Sequence, residues 1–257
     1  MSVIRKIFRV IGKILLILLI ICLVLILVLF IVNKILCSRE FDKLSQDDLS
    51  VPVSVGDYNL NVFRYGNQEG EHTIVGIAGF SCSDISVTFR PLTDQLAEEN
   101  LIVMIDRAGY GLSDDTTEPQ TVERIVNDYR TALRIAGIKG PYVLLPHSIG
   151  GVYATYWQSN YPSEIEGIAF LDGSVLSEKG FEGTLDTGVL GYAEAAACKA
   201  GLLRPFYRKI YLPLPEIYSQ KQQEMSDALT LHSGYSFAAN SEGRRAEIIK
   251  KFLAKLA

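Results

Sequence analysis

The chain has 257 residues, 25 Lys and Arg against 29 Asp and Glu, and 48% hydrophobic residues. That length suits one folded domain with a real core, and the apolar content excludes a mainly disordered chain. The first 34 residues hold Arg5, Lys6, Arg9, Lys13 and Lys34 and no acid, a charge of +5, so the remainder carries -9. A domain that acidic is a poor partner for nucleic acid, whose phosphates call for clustered positive charge.

From Ile14 to Val32 there are nineteen consecutive apolar residues. As a helix this run is about 28 Å long, close to the ~30 Å hydrocarbon core of a bilayer. It predicts a retained single-span anchor contacting lipid through residues 14–32. A cleaved signal peptide and a buried core helix are the competing readings. The run is longer than the usual signal, no small-residue cleavage site follows it, and it is apolar on every face. The cationic residues before it lean towards a cytoplasmic N-terminus with the large domain on the other side. The expected organisation is a stub and anchor over 1–37, a polar linker over 38–50, an α/β core over 51–172 and a helical cap region over 173–257.

Val51 to Val55 and Tyr58 to Tyr65 flank Gly56-Asp57, the pattern of a hairpin. Four apolar blocks follow: His72 to Ala78, Leu101 to Ile105, Tyr142 to Leu145 and Ile165 to Leu171. Their near-continuous hydrophobicity suits strands covered on both faces, as parallel strands are. Helical patterns separate them over Val87–Asn100, Thr121–Ala136 and Gly151–Tyr161. In the second of these Val122, Ile125, Val126, Tyr129 and Leu133 share one face. Strand and helix in alternation imply a mostly parallel sheet with helices on both sides. The four cysteines, Cys22, Cys37, Cys82 and Cys198, lack disulfide or metal-ligand spacing and are expected to be unpaired. No cofactor or metal is implied.

The sharpest chemical signal is Leu145-Pro146-His147-Ser148-Ile149-Gly150-Gly151, between an apolar strand and a helix. A serine on so tight a turn presents its hydroxyl away from the sheet, beside the amides that open the helix. Asp106-Arg107-Ala108-Gly109-Tyr110-Gly111-Leu112-Ser113-Asp114 begins 42 residues earlier, and Gly79-Phe80 closes the block before that. Together these segments resemble the alpha/beta-hydrolase family in its cap-bearing branch, closely over 51–172 and loosely over 173–257. The resemblance implies Ser148 as nucleophile and the backbone N–H groups of Phe80 and Ile149 as the oxyanion hole. It makes Asp106–Asp114 a structural turn, with Asp106 and Arg107 expected as a local ion pair.

Three departures from the family pattern stand out. Pro146 replaces the leading glycine of G-x-S-x-G and predicts a distorted elbow. Ala78 stands where a histidine often orders the oxyanion loop. The acid and histidine that should follow on later strands are not evident, so the fold is expected to be incomplete at its C-terminus. Of His72, His147 and His232, only His232 is a candidate base, with Asp172 as its acid.

The expected activity is therefore that of a membrane-anchored serine hydrolase acting on a small ester, amide or lipid-like substrate. The alternative is a truncated or degenerate, catalytically inactive hydrolase-fold protein.

Overall fold

A computed structural model describes residues 2–45, 50–80, 82–173, 193, 196–206, 214–233 and 236–243. Its N-terminal helix, α1 (Ser2–Ser45), carries the apolar run and continues through much of the expected linker. The linker's residues 46–49 lie outside the described residues, as does about half of the helical cap region expected over 173–257.

Six strands form one sheet: β1 (Ser50–Ser54), β2 (Asn59–Gly66), β3 (Thr73–Ile77), β4 (Leu101–Asp106), β5 (Tyr142–Pro146) and β6 (Ile165–Ile168). Their spatial order is β1-β2-β4-β3-β5-β6. The hairpin pairs antiparallel across Val53↔Leu60, and β2 runs antiparallel to β4. From β4 onward the strands are parallel, through Ile74↔Ile102, Val75↔Leu144 and Leu144↔Ile168. The sheet is thus mixed, with its parallel part built from the four apolar blocks.

Both faces are covered, and the two-residue period of a strand divides the core between them. Val103 and Ile105 of β4 face α4 (Val122–Ile135) and α5 (Gly150–Asn160), with Val126, Tyr129, Leu133 and Trp157 fully buried there. Ile102 and Met104 face the other way, onto Ile85 of α2 (Ile85–Thr88) and Leu96 of α3 (Arg90–Leu96). Thr121 caps α4 by accepting from the Arg124 N–H at 3.1 Å. Gly137, at φ +70°, closes its other end, and the Ile138 N–H returns to the Leu133 carbonyl. Among the described residues β6 is one edge strand of the sheet and β1 the other. Strand β6 is only partly buried, and Phe170 just beyond it is 43% exposed, so it is less covered than its composition suggests.

Beyond the sheet, α6 (Gln220–Ser233) and α7 (Phe237–Gly243) pack back on the domain. Leu229 and Ala228 of α6 meet Val87, and Ala238 of α7 joins the larger core cluster. The polar edge of α1 docks on the segment before α6. Arg204 donates to both carboxylate oxygens of Glu40 at 2.7 and 2.8 Å and to Asn33 Oδ1 at 2.8 Å. Gly201 lets the two segments touch, since a Cβ there would stand 2.6 Å from Asn33 Cβ.

Candidate active site

The turn between β5 and α5 places Ser148 at φ +51°, a left-handed conformation that non-glycine residues adopt rarely. Neighbouring contacts hold it there. His147 N–H donates to Ile77 O at 2.9 Å, and Leu171 N–H donates to Pro146 O at 2.8 Å. Gly150 brings the start of α5 onto β3 so closely that a Cβ would lie 2.6 Å from Ile77 O. The strand-to-helix bend is therefore tight despite Pro146, which pairs with Ile77 at the end of β5.

Gly79 sits against this bend. A Cβ on Gly79 would stand 3.1 Å from Ser148 Cβ and 2.7 Å from His147 Nδ1. The segment ending in Phe80 thus lies beside Ser148, with Phe80 half-buried and Ile149 buried at the N-terminal boundary of α5. The N-terminal end of an 11-residue helix points its amides and positive dipole end towards this place.

Arg107 holds the same segment from below. Its guanidinium is 3% exposed and donates to Ala78 O at 2.6 Å and Gly79 O at 2.9 Å. Its charge partner is Glu242 of α7 at 3.2 Å, and this corrects the local pairing with Asp106 expected from sequence. Tyr153 of α5 donates to the same carboxylate oxygen of Glu242, Oε1, and the Tyr110 and Tyr153 rings lie near the guanidinium. Burial opposes the charge on Arg107, but the Glu242 carboxylate and surrounding tyrosines more than offset it and raise its pKa. Arg107 occupies the ordering role left open by Ala78.

Asp106 turns instead into the loop that follows β4. Its carboxylate accepts from Leu112 N–H at 3.0 Å and Asn61 Nδ2 at 3.4 Å. Burial pushes its pKa up to about 7, with those two hydrogen bonds pulling the other way. Gly111 is required beside it, since a Cβ would fall 2.1 Å from Asp106 Oδ2. These bonds make the loop a structural turn, as the resemblance implied.

The remaining candidates lie on separate elements, and Asp172 follows Leu171, which pairs with His147 at the bend. Asp172 is exposed in a left-handed turn at φ +47°, just after β6. His232 lies near the C-terminal end of α6. Partial burial and the Lys34 charge lower its pKa, while Glu40 and a hydrogen bond to the Gly111 backbone raise it. Those neighbours belong to α1 and to the loop after β4, so His232 faces the anchor helix. His72 pairs at the surface with Glu166 at 3.0 Å. The four cysteines are free, and burial together with Asp84 pushes the Cys82 thiol up to about 12, which makes it a poor nucleophile. Among the described residues no group of three or more His, Cys, Asp or Glu side chains could hold a metal ion.

Residues 73–195 match a protein family described as alpha/beta hydrolase fold. The uncharacterized protein YbdG of Bacillus subtilis is 35% identical over 120 residues, covering 47% of this chain and 36% of that protein. An uncharacterized Schizosaccharomyces pombe protein, C23C11.06c, is 31% identical over 136 residues, 52% of this chain and 25% of its own length. The chain therefore matches only about a quarter to a third of the length of these curated relatives. Among solved structures, Cfl2 from Burkholderia cenocepacia superposes with a TM-score of 0.62 at 21% identity, over 80% of this chain and 74% of that one. The Cif epoxide hydrolase from Acinetobacter nosocomialis gives 0.64 at 18% identity, over 86% and 75%. Likenesses at such identities concern the fold.

Proposed function

The chain belongs to the alpha/beta-hydrolase family, and we propose that it is a membrane-anchored serine hydrolase acting on a small ester, amide or lipid-like substrate. The observation that carries this reading is the left-handed Ser148, pressed against Gly79 on one side and backed by the glycine-tight start of α5 on the other. Ser148 Oγ attacks the substrate carbonyl. The resulting oxyanion is stabilised by the N–H groups of Phe80 and Ile149, a contribution of about 3–4 kcal/mol per well-placed donor. Collapse expels the alcohol or amine with a proton, leaving an acyl-serine that water hydrolyses. A serine nucleophile separates this chemistry from that of relatives that use aspartate for epoxides or haloalkanes.

Membrane attachment is part of the same proposal. Helix α1 is long and apolar enough over Arg5–Glu40 to cross a bilayer, and its apolar side chains are unburied by the domain. With Arg5, Lys6, Arg9 and Lys13 before the apolar run, the hydrolase domain is placed on the side opposite the N-terminus. Docking of Arg204 on Asn33 and Glu40 supports a domain held close to the lipid surface.

A fluorophosphonate probe applied to the full chain in phosphatidylcholine nanodiscs tests the nucleophile. Labelling that disappears in Ser148→Ala is expected; labelling that persists, or is absent from the wild type, defeats the proposal. The position of His232 beside α1 favours a second reading, an inert hydrolase-fold protein. Ester turnover in the wild type and in His232→Ala separates the two. Turnover that survives the substitution excludes His232 as base, and its absence from both chains supports inertness.

A further inference from the structure

We propose that the cavity between β2, α2 and α6 is a second binding site, for a small carboxylate with an apolar tail taken from the aqueous phase. The cavity has a volume of about 260 Å³ and includes no residue of the Ser148 turn or the Gly79-Phe80 segment in its lining. It lies just below the ~300–1,000 Å³ range of small-ligand sites, so its occupant is small.

The lining sorts by chemistry. Phe63 and Tyr65 of β2 and Met225 of α6 supply an apolar floor. Ser86 brings a hydroxyl oxygen that is buried and has no hydrogen-bond partner, a group whose burial is costly until a ligand satisfies it. Arg90 and Lys221 bring two positive charges, and none of the lining residues is acidic. That is a local reversal in a chain that carries -9 beyond residue 34. Arg90 is already oriented: it stacks on Tyr65 at 4.2 Å and its Nε donates to Asp94 at 2.7 Å. A guanidinium has further N–H donors in the fork geometry that fits a carboxylate.

Neither half of this lining suffices for another ligand class. An uncharged apolar molecule leaves the two cations and the Ser86 hydroxyl unanswered, and a bare inorganic anion leaves the aromatic floor wet. A carboxylate on a short alkyl or aryl body satisfies both.

The source of the ligand follows from α1, in a clause that rests on the membrane reading above. Lys43 pairs with Glu224 of α6 at 3.7 Å, eleven residues beyond Val32, which is about 16 Å of helix past the apolar run. The other end of α6, at His232, senses Lys34. Helix α6 therefore leads away from the lipid towards its N-terminal half, where Lys221 and the cavity lie.

Calorimetric titration of hexanoate into the full chain in phosphatidylcholine nanodiscs, with empty nanodiscs as blank, tests the site. Hexanoate should bind, with hexan-1-ol and inorganic phosphate each at least about tenfold weaker. The Arg90→Gln/Lys221→Gln chain should lose about tenfold in affinity. Asp94→Asn removes a competing carboxylate and should tighten binding by about threefold, a gain that misfolding cannot produce. Hexanoate heats equal to the blank, equal binding of hexanol or phosphate, or an unchanged affinity in the double variant would each overturn the site. Affinity that falls when phosphatidylserine is added to the nanodiscs would overturn the aqueous source. Fluorophosphonate labelling of Ser148 should be the same in all these variants, so failure here is distinguishable from failure of the hydrolase reading.

Discussion

Arg107 and Glu242, 135 residues apart in the chain, meet as a buried ion pair at 3.2 Å beneath the segment that would form the oxyanion hole. Through it, the position of α7 is coupled to the carbonyls of Ala78 and Gly79 and hence to the direction of the Phe80 N–H. Replacing Glu242 by Gln leaves a buried guanidinium without its counter-charge, a loss on the order of 3 kcal/mol. The variant should melt lower, and its Ser148 should react more slowly with fluorophosphonate. Glu242→Asp, which keeps the charge, should recover most of the labelling rate. Equal labelling rates in all three chains would show that α7 does not order this segment.

The glycine at 150 gives a steric test with an internal control. A methyl group there would sit 2.6 Å from Ile77 O and 3.1 Å from Ile77 Cγ2, so α5 must move off β3. Gly150→Ala should destabilise by about 1–3 kcal/mol and depress Ser148 labelling. Gly167 in β6 has nothing within 4 Å of such a methyl group, and Gly167→Ala should leave both readouts unchanged.

A third expectation concerns pH. Asp106 has a pKa of about 7 in the fold, above its ordinary value of 3.8. Between those values the folded chain binds more protons than the unfolded one, so stability falls as pH rises. The stabilising difference is fully present below about pH 4 and gone above about pH 7. Asp106→Asn should flatten that slope, by a few kcal/mol across the window. Thermal melts at pH 4.5, 6 and 7.5 would show it; parallel wild-type and variant profiles would refute it.

One guanidinium makes several of the contacts that dock the anchor helix. Arg204 binds Glu40 through two nitrogens, reaches Asn33 and contacts Cys37 Sγ at 3.2 Å. In Arg204→Ala the Cys37 thiol should react with a water-soluble maleimide at least about threefold faster, because opening of the interface limits access. Rates measured in a chain with Cys22, Cys82 and Cys198 replaced by Ser would isolate that thiol.

Local pattern carried much of the fold. Gly56-Asp57 between two alternating runs marked the hairpin, and the periodicity of Val122 to Leu133 marked α4 to within a residue at each end. The bend at Ser148 was legible because strand, small residues and helix follow one another within ten positions, and it persists despite Pro146. The Arg107 partner was not legible. Asp106 is adjacent, and nothing near Glu242 marks it as the acid that a buried arginine needs. The helical extent of α1 was also underestimated, since polar residues from Ser38 onward read as linker until Arg204 and Glu224 are seen to engage them.

By itself the sequence determined the elements that arise from neighbours: an apolar helix, an alternation of strands and helices, and a serine on a sharp bend. Hydrophobic period and backbone permissiveness act over a few residues, so they can be read along the chain. Only the tertiary structure decided which distant charges meet, that Arg107 answers to Glu242 and that His232 turns towards the anchor. Coulombic and hydrogen-bond partners across a buried core are chosen by packing, and packing leaves no local trace.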